Sequence, residues 1–222
     1  MNDIFLGVKR DQFRMDDPTS EHADAKFKVI REQVLKRDNN TCFYCTFKSN
    51  KFQEVHHIDD DHSNNDIKNL VTVCPICHAC KHVGFSGLKN KAFLIYYPDI
   101  SQVKLNYLIK LLWFGFNSKV NDNEKEAIEI KNKCIDTIKI FDTLKDTAED
   151  RLGTSNPSIL ANEILLKLSD EEYKKRQEKL KGFLLVPNIG AYKKQLEYWE
   201  NTVFKNLPLS TWTNIAKQNY IK

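Results

Sequence analysis

The spacing of apolar side chains predicts a mixed N-terminal half. Residues 24–37 carry an apolar stripe at helical spacing, and it ends at Asp38–Asn40, a cluster of turn-forming residues. Phe52–His56 alternates between apolar and polar positions well enough to be a short strand, and Leu70–Val73 is rich in β-branched residues, so both are predicted strands. The polar segment Asp59–Asn65 lies between them and is predicted to be a loop.

Proline and glycine mark the limits of the next elements. Pro75 suits the first turn of a helix that we expect to reach about His82. Gly84 and Gly87 are predicted to break the chain after that helix. The apolar segment Ala92–Tyr97 is then a predicted strand.

From Ser101 onward the apolar spacing is helical. The predicted helices are 103–116, 128–152 closed by Gly153, one that begins at Asn156–Pro157, one with a capping box formed by Ser169 and Glu172, and 190–207. The predicted fold class is therefore α+β and mainly α. We expect one domain at residues 1–98, with an irregular arm and a short strand at Ile4–Leu6, and a helical region at residues 99–222 packed on it.

Composition excludes some classes of protein. With 222 residues, 41% of them hydrophobic and 29% charged, the chain is typical of soluble globular proteins. A net charge of +4 does not by itself indicate a nucleic-acid partner. No stretch approaches the roughly 20 apolar residues that span a membrane, and no basic segment followed by an apolar run opens the chain. We expect a cytoplasmic protein without direct membrane insertion, a setting that is compatible with a membrane-bound partner.

Metal-ligand side chains cluster between Cys42 and His82. Five of the six cysteines and five of the six histidines lie in this segment. Two CxxC pairs supply four thiolates, which suit tetrahedral structural zinc: Cys42, Cys45, Cys74 and Cys77. Residues 46–73 separate the pairs, so the loop between them is longer than in a simple zinc ribbon, and it carries histidines. The alternative is a set of reduced cysteines in a core.

A second set of candidates is His56, His57, Asn69, His78 and His82. His78 and His82 are four residues apart on the predicted helix, so they face one side and can bind one cation. His56 and His57 are adjacent in a strand and point to opposite faces. One of the two can complete a metal site while the other faces a substrate. Phosphodiester hydrolysis needs this division between a metal ion and a neutral imidazole that deprotonates water.

The histidine pair, Asn69-Leu70 and the run Cys74-x-x-Cys77-His78-x-x-Lys81-His82 resemble the HNH endonuclease family over about residues 27–82. The resemblance implies a ββα-metal zinc unit and metal-dependent cleavage of DNA. The ligands it implies for a catalytic Mg²⁺, Mn²⁺ or second Zn²⁺ are His56, His78 and His82. It also implies His57 as the general base and Asn69 as the residue that orients it.

A longer resemblance covers roughly residues 30–212. The segments Arg37–Cys42, Asn69–Cys74, Leu94–Pro98, Gly153–Pro157 and Lys193–Trp199 resemble the IcmJ/DotN family of type IVB (Dot/Icm) secretion systems. This resemblance implies a zinc-stabilised protein bound to the coupling ATPase of the secretion system. Two hypotheses follow: a DNA endonuclease in a secretion or conjugation setting, or a catalytically silent adaptor that binds the coupling ATPase.

Four other features carry weaker signals. We expect His62, in the polar loop, to be solvated, and Cys80 and Cys134 to pack in the core. Asp59–Asp61 would repel a phosphate unless these carboxylates bind metal or turn away. The seven basic residues between Lys26 and Lys51 can contact a nucleic-acid backbone or form a solvated helix face.

Overall fold

The computed structural model describes residues 2–8, 20–117 and 124–205. In that part of the chain the helices and strands are, in order, α1 (Ser20–Arg37), β1 (Glu54–His57), β2 (Leu70–Val73), α2 (Pro75–Ala79), α3 (Val83–Leu88), β3 (Ala92–Tyr96), α4 (Gln102–Asn117), α5 (Glu124–Thr143), α6 (Lys145–Leu152), α7 (Pro157–Lys167), α8 (Asp170–Lys174), α9 (Arg176–Lys179), β4 (Phe183–Pro187) and α10 (Lys193–Thr202). Helices dominate, and the strands form two separate pairs. The predicted α+β, mainly α fold class is confirmed.

The first strand pair is held by α1. β1 and β2 are antiparallel along their full lengths. Val34 of α1 is fully buried against Val55 and Leu70, one from each strand. At the end of α1, the guanidinium of Arg37 donates to the carbonyl oxygens of Ile67 and Leu70 at 2.6 and 2.7 Å. One helix therefore fixes both strands that carry or flank the candidate histidines.

The second strand pair includes an element that the periodicity did not predict. The expectation that everything after Ser101 is helical is wrong at β4, which pairs antiparallel with β3 and places Leu185 opposite Leu94. All of β4 is buried, so it lacks the alternation that identifies a strand. The amide of Gln102 bonds to the backbone N and O of Leu185 at 2.7 and 2.9 Å. This side chain satisfies the outer edge of β4 at that residue.

Two glycines expected to break the chain lie inside α3 instead. A Cβ atom on Gly87 would lie 2.2 Å from the backbone nitrogen of Ser158, and one on Gly84 would lie 3.1 Å from Cβ of Ala161. The missing side chains therefore allow α3 to lie close against α7. The prediction is wrong because tight helix packing, rather than chain reversal, requires glycine at these positions.

The predicted helix ends follow local capping chemistry. Gly153 ends α6 with φ of 70°, Asn156 caps α7, and Ser169 forms a capping box with Glu172 at the start of α8. The predicted helix 128–152 is instead two helices, α5 and α6, separated at Leu144. The predicted last helix reaches 207, and its final two residues lie outside the described residues.

The described part of the N-terminal arm is not a strand. Residues 2–8 have no regular secondary structure, so the strand predicted at Ile4–Leu6 is wrong. Ile4, Leu6 and Val8 are nevertheless buried. The backbone of Gly7 donates to the carbonyl oxygen of Cys80 at 2.8 Å. The arm therefore packs beside the cysteine-rich segment through side-chain burial and single backbone bonds rather than through a sheet.

One hydrophobic core continues across position 98. It contains Cys45 and Leu94 from the N-terminal side together with Trp113 and Trp199 from the helical region. The division into domains at residues 1–98 and 99–222 stays a prediction. Among the described residues, the helices all fall short of the length and apolarity that crossing a bilayer requires.

Candidate metal centres

The first candidate centre joins two turns that face each other. Cys42 and Cys45 follow α1, and Cys74 and Cys77 lie at the start of α2. All four are buried, and their sulfur atoms lie within 4.8 Å of one another. The Sγ atoms of Cys45 and Cys74 are 3.7 Å apart. Tetrahedral zinc with Zn–S bonds of about 2.3 Å requires about 3.8 Å between sulfur atoms, so the donor set and its spacing fit structural zinc.

A polar row on α4 covers this centre. Gln102, Asn106 and Lys110 lie four residues apart, and all three are buried. Lys110 Nζ donates to Cys45 Sγ at 3.3 Å, and Asn106 Nδ2 donates to Cys77 Sγ at 3.5 Å. Sequence reasoning missed these residues. The signal that marks them is a polar side chain at every fourth position of an otherwise strongly apolar helix.

Charge dominates the chemistry around the four cysteines. Burial acts to lower the pKa of Lys110, but the charge of Cys45 and its neighbouring thiolates outweighs burial and raises that pKa well above its ordinary value. Lys110 is therefore held as a cation beside Cys45, whose own pKa is lowered well below its ordinary value by hydrogen bonds with the other three cysteines. Burial instead raises the pKa of Cys74 and Cys77. Cys80 is not part of the group of four, and burial raises its pKa to about 12. Its thiol is thus protonated at neutral pH, in keeping with a packing role.

The second candidate centre is a group of three histidines. His56 lies on β1, His78 on α2 and His82 in the turn before α3. Each offers one ring nitrogen, and these atoms lie within 4.8 Å of one another, with the Nε2 atoms of His78 and His82 3.0 Å apart. The helix predicted to reach His82 ends at Ala79, and the following turn keeps the two rings together. Three imidazole nitrogens suit Zn²⁺ best, whereas Mg²⁺ prefers oxygen ligands.

Glu54 fixes the orientation of His78. Its Oε2 atom is 2.5 Å from His78 Nδ1. A carboxylate only accepts, so Nδ1 carries the hydrogen and the lone pair of Nε2 faces the other histidines. Burial acts to raise the pKa of Glu54, but the hydrogen bond and charge of His78 leave it lowered. Sequence reasoning missed Glu54, although it lies two residues before His56 on a strand and so shares its face.

His57 points away from the three-histidine group but borders the same cavity. Its ring stacks on Phe27 of α1, with centroids 5.6 Å apart and planes at 16°. Its Nε2 atom is 3.0 Å from Asn65 Oδ1. The cavity measures about 330 Å³, and Lys91 contributes a cation to its wall. The end of β1 thus presents one predicted metal ligand and the predicted base to a single space.

Asn69 has a different set of contacts from the one expected. Its Nδ2 atom donates to Asp59 Oδ1 at 2.8 Å and to the carbonyl of Asn64 at 2.9 Å. The predicted direct orientation of His57 by Asn69 is therefore not what the geometry shows. Asn69 holds the loop that carries Asn65, and it is the Asn65 amide that bonds to His57. A short polar side chain ties the loop to itself more readily than it spans the distance to a neighbouring strand.

The acidic loop is folded largely on itself. Asp61 Oδ1 accepts from the backbone and hydroxyl of Ser63 at 2.8 and 2.7 Å. Asp60 Oδ1 lies 3.7 Å from His56 Nε2, and its Oδ2 lies 3.9 Å from Lys81 Nζ. Two of the three carboxylates are thus occupied with loop bonds, and the third lies between a histidine and a lysine.

His62 lines the cavity, and its solvated state stays a prediction. The side chain is half-buried, with its ring centroid 5.2 Å from that of His57 and 6.1 Å from that of His82. The bonds within the loop curl it back over the histidines, which the sequence did not indicate. His62 lies outside the group of three that could share one ion.

The basic segment 26–51 was predicted to contact a nucleic-acid backbone or to form a solvated helix face. Within it, the guanidinium of Arg31 donates a hydrogen bond to the carbonyl oxygen of Gln53 at 2.8 Å.

Comparisons with known proteins agree with both resemblances. Residues 42–84 match the family model described as HNH endonuclease. Over 189 residues the chain is 28% identical to the Type 4 apparatus protein DotN of Legionella pneumophila subsp. pneumophila, an alignment that covers 83% of this chain and 84% of that protein. The first similarity covers both candidate centres, and the second extends far into the helical region.

Proposed function

We propose that this chain is a metal-dependent endonuclease that hydrolyses phosphodiester bonds of DNA. The observation that carries the proposal is the convergence of His56, His78, His82 and His57 on one cavity of about 330 Å³. The match of residues 42–84 to the HNH endonuclease family supports it. The four cysteines would hold structural zinc and fix the turns on which two of these histidines stand.

The three-histidine group would hold the catalytic cation, Mn²⁺ or a second Zn²⁺, with Mg²⁺ the less favoured ion. A bound divalent ion supplies Lewis-acid stabilisation to the phosphate and the leaving oxygen. Glu54 keeps His78 in the tautomer that presents Nε2. Asp60, beside His56, adds negative charge that favours a cation at this position.

His57 would act as the general base. Asn65 Oδ1 only accepts, so the bond at 3.0 Å places the ring hydrogen on His57 Nε2. The neutral imidazole then has its lone pair on Nδ1, which can accept a proton from water. Phe27 stacks on the ring and limits its rotation. Lys91, on the cavity wall, would attract the phosphate of the substrate.

Nicking of a supercoiled plasmid tests this proposal. The full chain, with zinc already in the cysteine site, is incubated with Mn²⁺, Zn²⁺ or Mg²⁺. We expect nicking by the wild type and a loss of about 10²-fold or more in His57→Ala, since general-base catalysis contributes about 10²–10⁴-fold. His22→Ala serves as the matched control, because it removes the one histidine outside the segment 42–82. An intact plasmid with wild-type protein and all three metals would refute the nuclease.

The similarity to DotN favours a second candidate function, that of an adaptor. DotN is named as a type 4 apparatus protein, and the alignment covers 83% of this chain rather than the zinc unit alone. We infer that the chain works in a type IV secretion or conjugation apparatus, at the inner membrane through a protein partner. In this proposal residues 99–222 and the Leu94–Pro98 region supply the protein interface, and the coupling ATPase is the partner. Failure of the purified chain to bind the C-terminal tail of a coupling ATPase would count against it.

A further inference from the structure

Two side chains of the helical region contact the four-cysteine centre. We propose that Lys110 and Asn106 of α4 are positioning residues of the four-cysteine centre, which set the charge of its thiolates and the rate at which it releases metal. The inference does not depend on nuclease activity. It rests on the hydrogen bonds and burial of these two side chains, and on the fit of the four cysteines to zinc.

The position of Lys110 is unfavourable for a cation unless the cysteines balance it. The residue is 2% exposed and is flanked along α4 by the buried residues Ile109 and Leu111. A buried ammonium group is costly when it has no anionic partner. Its Nζ donates to Cys45 Sγ and to the carbonyl of Asn106, each at 3.3 Å. The thiolate cluster is thus what makes lysine tolerable at this core position.

Lys110 in turn neutralises part of the negative charge of the metal-loaded cysteine centre. Four thiolates and one divalent ion leave a net charge of about −2 on the centre. The centre is buried, so water screens this charge poorly. One ammonium group in direct contact removes about half of the excess. Without it, electron density on the sulfur atoms would rise, and the thiolates would exchange their metal and react with electrophiles more readily.

Asn106 is held in the orientation that points its donor at sulfur. Gln102 Nε2 donates to Asn106 Oδ1 at 2.8 Å, which leaves Asn106 Nδ2 facing the cysteines. Nδ2 lies 3.5 Å from Cys77 Sγ and 3.6 Å from Cys80 Sγ. Gln102 is itself fixed by both backbone groups of Leu185. A buried polar chain therefore connects β4 to the metal centre, and the packing of the helical region determines the contacts of the thiolates.

Cobalt substitution in the full chain tests the proposal, because the sulfur-to-cobalt charge-transfer band reports the cysteine centre and not the histidines. Lys110→Met removes the charge and keeps the length of the side chain. We expect this band to shift to lower energy, and transfer of the metal to a chelator to become roughly 10- to 100-fold faster, the usual range for outer-shell changes. Asn106→Leu should shift the band in the same direction with a smaller acceleration, because it removes a neutral donor rather than a charge.

Lys104→Met is the matched control. It removes the same charge from an exposed position of the same helix and should change neither the band nor the release rate. A loss of folding stability alone would lower the melting temperature without moving the band. If Lys110→Met does not fold, the band of Asn106→Leu decides the question. Unshifted bands in the folded variants, or wild-type protein that binds no metal at the four cysteines, would overturn the proposal.

Discussion

Replacement of Glu54 by glutamine isolates the charge that this residue gives to the histidine centre. Glutamine keeps the length and one acceptor oxygen, so a neutral hydrogen bond to His78 Nδ1 can replace the charged one at 2.5 Å. Hydrogen bonds to charged groups contribute about 1.5–3 kcal/mol and neutral ones about 0.5–1.5 kcal/mol. The Glu54 side chain is 45% exposed, so we take a difference of about 1.4 kcal/mol, which is tenfold in affinity.

Calorimetric titration of Mn²⁺ or Zn²⁺ into protein that already holds zinc at the cysteines measures this effect. We expect about tenfold weaker binding in Glu54→Gln and about 100-fold weaker binding in Glu54→Ala, which loses the acceptor as well. Glu32→Gln, at an exposed position of α1, should bind as the wild type does. The reasoning fails if both Glu54 variants keep wild-type affinity, since Glu54 would then have no part in presenting His78.

Two further predictions concern stability, each read from thermal melting. In Gly87→Ala a new Cβ would lie 2.2 Å from the backbone of Ser158, so we take overpacking of about 2–3 kcal/mol, the upper part of the usual range, because backbone cannot move aside easily. Less about 1 kcal/mol of helix propensity, this should lower Tm by about 2–8 °C. Gly190→Ala, with its nearest neighbour at 3.6 Å, should not lower it, and equal Tm values for the two variants would contradict the packing of α3 on α7. At Asp38, burial acts to raise the pKa, but the hydrogen bond from Arg37 and other contacts leave it below 3.8. The contribution of the Asp38 carboxylate to folding stability is therefore complete above about pH 4 and is lost as the pH falls through the pKa of the folded state. Asp38→Asn should therefore lose less Tm than the wild type between about pH 5 and 3, and parallel pH profiles would count against this ion pair.

Local chemistry in the sequence was enough to predict several features. Gly153, Asn156 and Ser169 cap helices through contacts within a few residues, so their sequence neighbours already determine the outcome. Each CxxC pair likewise forms a local turn that directs its two sulfur atoms to one side, so the sequence was enough to predict that the two sulfur atoms of a pair lie together. His78 and His82 were correctly expected to meet, although a turn rather than a continued helix brings them together.

Tertiary structure decided the features that depend on distant residues. β4 is a strand because β3 lies beside it, and its uniform burial removes the alternation that would identify it. Lys110 is buried because the thiolates balance its charge, and no local pattern reports a partner 65 positions away. The sequence by itself thus determined which groups could bind metal. Packing decided which side chains orient and neutralise them, because burial and charge balance depend on segments that meet only in the folded chain.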